Sequence, residues 1–380
     1  MDEMNLFDQS SITVQKPTKT LSQNAAKIAV IGVGGGGCNM INHMINEGTH
    51  KIDLIVANTD LQVLNLSHAP RKIQLGLELT RGLGAGMRPD IGRDSALESY
   101  QEIKDALEDS DIVFIAAGLG GGTGTGAAAV VAKAAREIGA LTVSVVTKPF
   151  KWEGKKRTGL ANLGLEELKK VSDSIIVIPN DRLRNIIDKT VGMKDAFKVV
   201  DDVLYQAVNG MSEVILKPGS DDINVDFADV KTIMQHKGIA LMGIGKAKGD
   251  DAANRALELA IKSPLLDEIS LSSAKGIMIH WTTNPNVSMF AISDVMDNIN
   301  DAVEGNPEII FGTTTDDNLA IDEVKITIVA TGFESNETDD IDEPNTQKQQ
   351  SSIPSKSKDD EDYYDTPPLM RGYSIKYKLA

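Results

Sequence analysis

The feature that most constrains this chain is a glycine-rich segment, residues 118–126, of sequence GLGGGTGTG. It follows the apolar run Asp111–Ala117 and precedes an alanine-rich helical pattern that begins at Ala127. Glycine lets the backbone adopt positive φ and approach a ligand closely, and the free N–H groups of a helix N-terminus attract anions. The pattern therefore predicts a buried strand, a phosphate-binding loop and a helix. A tight turn is the alternative, but a turn alone rarely needs so much glycine.

Composition limits the classes of partner. The chain has 380 residues and a formal net charge of −16, which argues against nucleic acid or an anionic membrane as a direct partner. One cysteine, Cys38, excludes an intrachain disulfide and suits a reducing compartment. Five scattered His and that single Cys make a structural zinc site unexpected. No uncharged apolar stretch reaches the roughly 18–20 residues of a membrane span, and we expect a cytoplasmic protein without membrane insertion.

Short apolar runs alternate with helical patterns between residues 27 and 191. Several runs are apolar throughout, as expected of parallel strands covered on both faces. This repetition predicts an α/β fold with a doubly wound, mostly parallel sheet and ligands at the carboxyl ends of its strands. The predicted strands are Lys27–Gly32, Asp53–Asn58, Arg71–Leu75, Asp111–Ala117, Leu141–Thr147 and Ser174–Pro179.

A long helix and a second, smaller α/β unit follow. Apolar residues recur at helical spacing over residues 195–216 and form a broad face, so we expect this helix to be buried between two lobes. The second unit contains predicted strands at Gly238–Gly245, Gly276–Thr282, Glu308–Thr315 and Val324–Thr331, with helices at Ala252–Ile261 and Val287–Asn300.

The predicted organisation has six parts. After Phe333 large aliphatic residues almost vanish, which is typical of a disordered linker. The apolar residues that return near the end indicate either a short docking motif or an unremarkable terminus. The parts are a disordered N-terminal segment 1–26, a nucleotide-binding domain 27–191, a central helix and connection 192–222, an α/β domain 223–333, a disordered acidic linker 334–364 and a C-terminal peptide 365–380.

A second glycine cluster, GVGGGG at residues 32–37, offers a rival interpretation. It matches G-x-G-x-x-G, the pattern of dinucleotide-binding folds, and a nicotinamide-dependent oxidoreductase is the rival function. That fold also asks for an acidic residue at the end of the second strand, where this chain has Asn58-Thr59. It gives no reason for the richer cluster at 118–126, whereas two such loops on parallel strands would converge on one chain of phosphates. A P-loop would need G-x-x-x-x-G-K-[ST], which the sequence lacks.

Asp226 and Asp229 are spaced i, i+3 and would lie on one face at the start of a helix. Spacing alone favours a capping arrangement, with Asp226 as N-cap and Asp229 at N3. The functional alternative is a carboxylate pair that polarises a water molecule. A nucleotide-binding scaffold that no longer hydrolyses its ligand is a third possibility for the chain, and the intact pair argues against it.

Taken in order, these elements resemble the FtsZ family of bacterial tubulin homologues, which polymerise at the division site. The resemblance covers residues 27 to 333 almost without a gap and is carried by many long stretches. They are GGGTGTG at 120–126, TRGLGAG at 80–86, IPNDRL at 178–183, KPF at 148–150 leading to EGKKR at 153–157, ALMGIG at 240–245 and IVATGF at 328–333. The implied fold is a tubulin-like GTPase domain, a long central helix and a second, smaller domain.

The resemblance also implies a set of ligands for GTP or GDP. One carboxylate, Asp201, accepts from the guanine ring N–H and amino group, two donors that adenine lacks, so specificity can rest on it. Phe197 stacks near the guanine, Asn180 contacts the nucleoside, and Glu153 and Arg157 lie along the ribose and phosphates. The residues that line the nucleotide and cradle its phosphates are Gly34, Gly35, Gly36, Gly37, Cys38, Asn39, Gly120, Gly121, Gly122, Thr123, Gly124, Thr125 and Gly126.

Catalysis is implied to occur between subunits. In the family the loop at 223–230, with Asn224, Asp226 and Asp229, enters the nucleotide site of the next subunit, and the carboxylates activate the attacking water. Head-to-tail association of this kind does not close and gives filaments. Mg²⁺ and backbone N–H groups would supply charge compensation for phosphoryl transfer. A capped helix start would hold the carboxylates rigidly, so capping and catalysis are compatible.

Two departures from the family pattern are visible. The first loop has Cys38 where most members have a fifth glycine, and a buried small residue is the simplest interpretation of that cysteine. The C-terminal peptide DTPPLMR at 365–371 differs at three positions from the usual D-I-P-x-F-L-R. The resemblance implies that this peptide docks membrane-adaptor and regulatory division proteins at the midcell division site.

Overall fold

The computed structural model describes residues 26–333 apart from 50, 185–186, 188–189, 217–221, 264–265, 267–272 and 304–306. The strands are β1 Ile28–Val33, β2 Asp53–Asn58, β3 Arg71–Gln74, β4 Ile112–Gly118, β5 Leu141–Lys148, β6 Ser174–Pro179, β7 Ile239–Lys248, β8 Gly276–Thr283, β9 Glu308–Thr315 and β10 Glu323–Phe333. The helices are α1 Gly34–Asn46, α2 Leu61–Leu66, α3 Leu77–Thr80, α4 Pro89–Glu98, α5 Tyr100–Leu107, α6 Thr123–Glu137, α7 Lys155–Val171, α8 Asn180–Leu183, α9 Met193–Leu216, α10 Phe227–Met234, α11 Ala252–Ile261 and α12 Met289–Ala302.

The ten strands form one sheet, in the order β3-β2-β1-β4-β5-β6-β7-β10-β8-β9. Strands β1 to β6 are mutually parallel, and all six residues of β1 are buried. One face of this parallel part packs against α1 and α9, and the other against α5, α6 and α7. The predicted doubly wound, mostly parallel sheet is therefore confirmed, and its six strands agree with the observed ones to within one residue at each end.

In the second half of the sheet, strand β10 runs antiparallel to its two neighbours. Strand β7 pairs in parallel with β6 over only two residue pairs, whereas β10 runs antiparallel to both β7 and β8. Trp281 is fully buried in a separate core formed by this half of the sheet together with α11 and α12. Strands β7 and β10 extend two to three residues beyond the predicted ends. Helix α12 begins two residues later than predicted, and the Phe290 N–H donates to the Ser288 hydroxyl at its start, 3.3 Å away.

The long helix α9 contributes to the core under both halves of the sheet. Its buried residues Val200, Leu204 and Met211 belong to one cluster with Met242 of β7 and Met278 of β8. A half-buried ion pair of 2.6 Å joins Glu213 of α9 to Lys325 of β10. The apolar face of this helix is buried, whereas its predicted position between two lobes stays a prediction. The helix begins two residues earlier than predicted, at Met193. Residues 1–25 of the predicted N-terminal segment 1–26 lie outside the described residues, as do the predicted linker 334–364 and C-terminal peptide 365–380.

Helices α4 and α6 approach each other at Gly126, in the first turn of α6. A Cβ atom at this position would lie 1.9 Å from the Pro89 carbonyl oxygen and 2.7 Å from the Arg93 nitrogen, both backbone atoms. Only hydrogen fits between the two helices here, so the packing of the face that carries the glycine-rich turn depends on this residue.

We expect Gly126→Ala to lower the free energy of unfolding by about 2 kcal/mol or more, because the backbone of α4 must move to admit the methyl group. Gly159→Ala is the matched control, since Gly159 is also helical and a Cβ there would meet nothing within 4 Å. The control should be neutral or more stable by about 0.5–1 kcal/mol. Urea unfolding of the two variants and the wild type measures the difference, and equal effects would contradict the packing argument.

Candidate nucleotide site and catalytic loop

A cavity of about 340 Å³ lies at the carboxyl ends of the central parallel strands. This is the edge at which parallel α/β sheets bind ligands. It is bounded by the first turns of α1 and α6, by the segment after β5 and by the N-terminal half of α9. The lining residues are Gly35, Gly36, Asn39, Gly118, Leu119, Gly121, Gly122, Thr123, Gly124, Thr147, Pro149, Glu153, Arg157, Asn180, Phe197, Val200, Asp201 and Leu204.

The two glycine clusters meet at this edge because β1 and β4 are neighbours in the sheet. Gly34 has φ of 72°, and a Cβ atom there would lie 2.7 Å from the Gly124 nitrogen. A Cβ atom at Gly36 would lie 3.2 Å from the Gly118 Cα. The convergence expected of two glycine-rich segments on parallel strands is therefore present, and it places the first turns of two helices side by side.

Within the described residues, no side chain caps the start of α1 or of α6. The first-turn N–H groups of both helices therefore lack the side-chain partners that usually satisfy such positions. At Gly35 and Gly121 an added Cβ would meet nothing within 4 Å, so the space in front of these turns is open. Together with the positive ends of two helix dipoles, this arrangement fits a polyphosphate.

Threonine hydroxyls hold the second turn in place. The Gly120 N–H donates to the buried Thr125 hydroxyl at 2.8 Å, so Thr125 stabilises the turn. Thr123 lines the cavity, and its hydroxyl lies 2.7 Å from that of Thr59, just beyond β2. Thr123 is thus the threonine of this segment that is available to a ligand in the cavity.

The opposite end of the cavity combines aromatic, amide and carboxylate groups. Phe197 is 37% exposed and packs edge-on against Phe150, with ring centroids 5.7 Å apart. Asn180 is buried, and its Oδ1 has no hydrogen-bond partner among the described residues. Burial raises the pKa of the half-buried Asp201 carboxyl to about 6, and the nearby His43 imidazole opposes this rise. A buried amide and a desolvated carboxylate in one cavity indicate a ligand that offers hydrogen bonds to both.

A charged pair borders the middle of the cavity. Arg157 donates from Nη1 to Glu153 Oε2, four residues earlier. The other oxygen of Glu153 accepts from the Phe150 N–H at 2.9 Å, which fixes the carboxylate. The Arg157 side chain remains 43% exposed and supplies a positive charge at the wall of the cavity.

Six of the expected nucleotide residues do not line the cavity. Gly34 lies against Gly124, as described above, and a Cβ at Gly37 would lie 2.3 Å from the Ala116 carbonyl oxygen, so both support the turns from behind. Cys38 is fully buried, and this burial raises the pKa of its thiol to about 12. The expectation of a buried small residue there is confirmed. The other three are Gly120, Thr125 and Gly126.

Sequence reasoning missed part of the lining. Gly118 carried a signal, since it opens the glycine-rich segment. Leu119, Thr147, Pro149, Val200 and Leu204 look like ordinary strand, turn or core residues in the sequence, and only the chain's packing brings them to the cavity.

The aspartate pair lies at the start of α10 and does not line the cavity of its own subunit. The Asp229 N–H donates to Asp226 Oδ1 at 2.9 Å, and the Asp226 N–H donates to Asp229 Oδ2 at 3.3 Å. This reciprocal capping box is the arrangement that spacing alone favoured. Asp226 and the neighbouring Asn224 are exposed. The pair is therefore held in a fixed geometry while one carboxylate faces solvent.

The fold and the cavity are those of the tubulin class of GTPases, and comparison with known families agrees. The GTPase-domain model of the Tubulin/FtsZ family matches residues 27–188, and that of the FtsZ family C-terminal domain matches residues 238–334. The cell division protein FtsZ of Helicobacter pylori strain 26695 is 48% identical over 337 residues, which cover 88% of this chain and 86% of that protein. The chain therefore belongs to the FtsZ family.

Solved structures support the same assignment. An empty FtsZ dimer from M. jannaschii is similar with a TM-score of 0.75 and 46% identity, over 82% of this chain and 90% of that one. The GTPγS-bound protofilament of CetZ2 from Haloferax volcanii shares the fold, with a TM-score of 0.70 and 19% identity over 82% of this chain and 94% of that one. GTP hydrolysis and filament formation are general functions of the FtsZ family, and the chain is a GTPase that binds guanine nucleotide. The oxidoreductase interpretation is wrong.

Two further features are absent from the part of the chain that the structure describes. In the described ranges, no helix combines the length and apolar character needed to span a bilayer. The same residues contain no group of three or more His, Cys, Asp or Glu side chains arranged to hold a metal ion.

The raised pKa of Asp201 predicts a pH-dependent stability of the nucleotide-free protein. The folded-state pKa of about 6 lies above that of the unfolded chain. The protonated Asp201 carboxyl therefore contributes to the free energy of unfolding fully below about pH 4, and this contribution is lost as pH rises through 6. Asp201→Asn should therefore be more stable than wild type by about 1–3 kcal/mol at pH 7.5, where the wild-type carboxylate is buried in its charged form. Near pH 4 the two proteins should match. A difference of the same size at both pH values in urea unfolding would exclude this cause.

Proposed function

We propose that the cavity holds GTP, with its phosphates at the starts of α1 and α6 and its base against α9. The loop that carries Asn224, Asp226 and Asp229 completes the site of the next subunit. The observation that carries the proposal is that two uncapped helix starts and a desolvated carboxylate share one cavity, whereas the aspartate pair lies outside it. One subunit thus presents a binding site and, separately, a rigid pair of carboxylates.

The phosphate end is suited to a triphosphate. Backbone N–H groups of the first turns of α1 and α6 would donate to the β- and γ-phosphates, with the Thr123 hydroxyl and the Arg157 guanidinium beside them. Gly34, Gly37, Gly120 and Thr125 act by holding the two turns in this geometry. Because the described residues offer no cluster of metal ligands, a Mg²⁺ ion would be held chiefly by the phosphates and by water. Its role would be to neutralise charge that develops on the phosphoryl group.

The base end favours guanine. Guanine presents a ring N–H and an amino group side by side, and one carboxylate accepts from both. Adenine presents a ring nitrogen acceptor and a C–H there, so the Asp201 carboxylate would be buried without a partner. The unpaired amide oxygen of Asn180 offers a further acceptor, and the ring of Phe197 an apolar surface for the purine.

We expect GTP to bind at least about 100-fold more tightly than ATP, because burying an unpaired carboxylate costs several kcal/mol. Asp201→Ala should lose most of this discrimination by weakening GTP binding. Leu204→Ala is a suitable control, since Leu204 also lines the cavity on α9 and makes no polar contact with the base. It should weaken both nucleotides by a similar factor. Calorimetry with GDP and ADP avoids turnover, and equal affinity of the wild type for the two would refute guanine recognition.

Hydrolysis would take place where two subunits meet. Asp226 and Asp229 of one subunit would orient a water molecule in line with the γ-phosphate in the cavity of its neighbour and accept its proton. The bond between the γ-phosphorus and the bridging oxygen then breaks, and GDP and phosphate remain. The same surface patch cannot serve both partners, so the contact is heterologous and repeats into a filament.

A complementation experiment tests catalysis between subunits. Asp229→Ala leaves the cavity intact and removes the catalytic carboxylate, whereas Arg157→Ala damages the cavity and leaves the loop intact. Each variant alone should be nearly inactive. An equimolar mixture should recover about a quarter of the wild-type rate per subunit, because a quarter of random junctions join a sound cavity to a sound loop.

The mixture must be shown to co-assemble, by sedimentation of one labelled variant with the other. A mixture of Asp229→Asn with Arg157→Ala repeats the experiment with a substitution that keeps the size and shape of the Asp229 side chain and removes only its charge. If co-assembled filaments stay as inactive as their components, the aspartate pair works within its own subunit.

The cellular setting follows from the same proposal. We infer a cytoplasmic protein that assembles into head-to-tail filaments at the future septum. The Helicobacter pylori relative is named a cell division protein, which supports a role in division. The six-part organisation remains our proposal for the chain. Its peptide 365–380 would dock membrane-adaptor and regulatory proteins through apolar contacts, and it lies outside the described residues.

A further inference from the structure

The segment that precedes the catalytic loop, residues 222–225, is hydrogen-bonded to the free edge of strand β9. Asp222 accepts from both the N–H and the hydroxyl of Thr315, at 2.8 Å and 2.6 Å. Next to it, the Thr313 N–H donates to the Ile223 carbonyl at 2.9 Å, and the Ile223 N–H donates to the Thr313 hydroxyl at 3.0 Å. Four hydrogen bonds therefore join two successive residues to one strand that is about 90 residues away in the sequence.

Apolar packing at Val225 holds the same segment against β9. Val225 is buried, and a Cβ atom at Gly312 of β9 would lie 2.3 Å from its Cγ2. The absence of a side chain at Gly312 thus leaves the space into which Val225 fits. The Ile223 side chain is exposed although its backbone is bonded to β9, and Asn224, between the two attachments, is also exposed. Residues 222–225 are therefore held on β9 by the hydrogen bonds of Asp222 and Ile223 and by the packing of Val225, just before Asp226.

We propose that Asp222 is a positioning residue for hydrolysis, which sets the place of the catalytic loop through Thr315. This inference rests on the proposed function, since it requires Asp226 and Asp229 to act on the nucleotide of a neighbour. The capping box fixes the two carboxylates relative to each other and to α10. The Asp222 contact fixes the preceding chain relative to the sheet, so the loop is held on both sides.

The reason for a carboxylate at this position lies in its two acceptors. Its two oxygens bind two donors of a single residue, and a charged acceptor makes stronger hydrogen bonds than a neutral one. Misplacing a catalytic group by about 1 Å can cost about 100-fold in rate, even when binding is unchanged. Loss of Asp222 should therefore reduce turnover without reducing the affinity of the protein for GTP, whose cavity lies elsewhere.

The test compares Asp222→Ala with Asp222→Asn in the full chain. We expect Asp222→Ala to lower kcat about tenfold per assembled subunit, with the GTP affinity of the monomer and the sedimented fraction unchanged. Asp222→Asn keeps one acceptor for the Thr315 N–H and gains a donor for its hydroxyl oxygen, so it should recover most of the rate. Thr315→Val and Thr315→Ser form a second pair, in which only the serine retains the hydroxyl that bonds Asp222.

Co-assembly of two variants tests whether the defect of Asp222→Ala lies in the catalytic loop rather than in the nucleotide cavity. Asp222→Ala has a sound cavity, so co-assembly with Arg157→Ala should raise the rate above the mean of the two variants alone. A kcat of Asp222→Ala equal to wild type would overturn the inference, and so would a loss of turnover that merely follows a loss of assembly or GTP affinity. In either case an inactive Asp229→Ala would leave the proposed function standing. An active Asp229→Ala would remove the proposed function, and this inference with it.

Discussion

At the carboxyl edge of the sheet, the backbone of Gly34 lies against that of Gly124, and Gly36 lies against Gly118. This contact exists because β1 and β4 are paired neighbours and because neither turn carries side chains that would separate them. It brings the uncapped starts of α1 and α6 to one place, where their N–H groups and dipoles add. The other cavity residues are arranged around this point: Arg157 lies beside the turns, and the α9 residues lie at the far end of the cavity.

The base end of the cavity illustrates the cost of a recognition site. Asp201 is a carboxylate whose burial raises its pKa, and no described residue forms an ion pair with it at hydrogen-bonding distance. The neighbouring Asp202 instead contacts His43, at 3.4 Å, on the side where α1 and α9 pack together. If Asp201 binds guanine as proposed, the carboxylate that lowers the stability of the empty protein is also the group that selects the nucleotide. This is the usual reason that binding sites violate the rules of a well-packed core.

The sequence was most informative where a local pattern decides the structure. Continuous apolar runs gave the parallel strands, glycine clusters gave the turns, and the i, i+3 spacing of Asp226 and Asp229 gave their capping box. It was least informative where tertiary packing decides. The antiparallel placement of β10, the role of Gly126 as a helix contact and the bond between Asp222 and Thr315 each join residues that are distant in the chain, and no local pattern marks them. The unpaired oxygen of Asn180 likewise became visible only once its surroundings were known.

Helix α9 carries Phe197 and Asp201 near its beginning, and it ends at Leu216, six positions before Asp222. One helix therefore runs from the cavity to within six residues of Asp222, which precedes the aspartate pair. With 24 residues it is about 36 Å long. From Asp201, which lines the cavity, to Leu216 at its end the helix rises about 22 Å. Inserting or removing one turn of α9 would change this distance by about 5 Å while leaving the two ends of the helix in nearly the same relative orientation. Under the proposed catalysis between subunits, the length of α9 therefore contributes to the spacing of successive nucleotides along the filament.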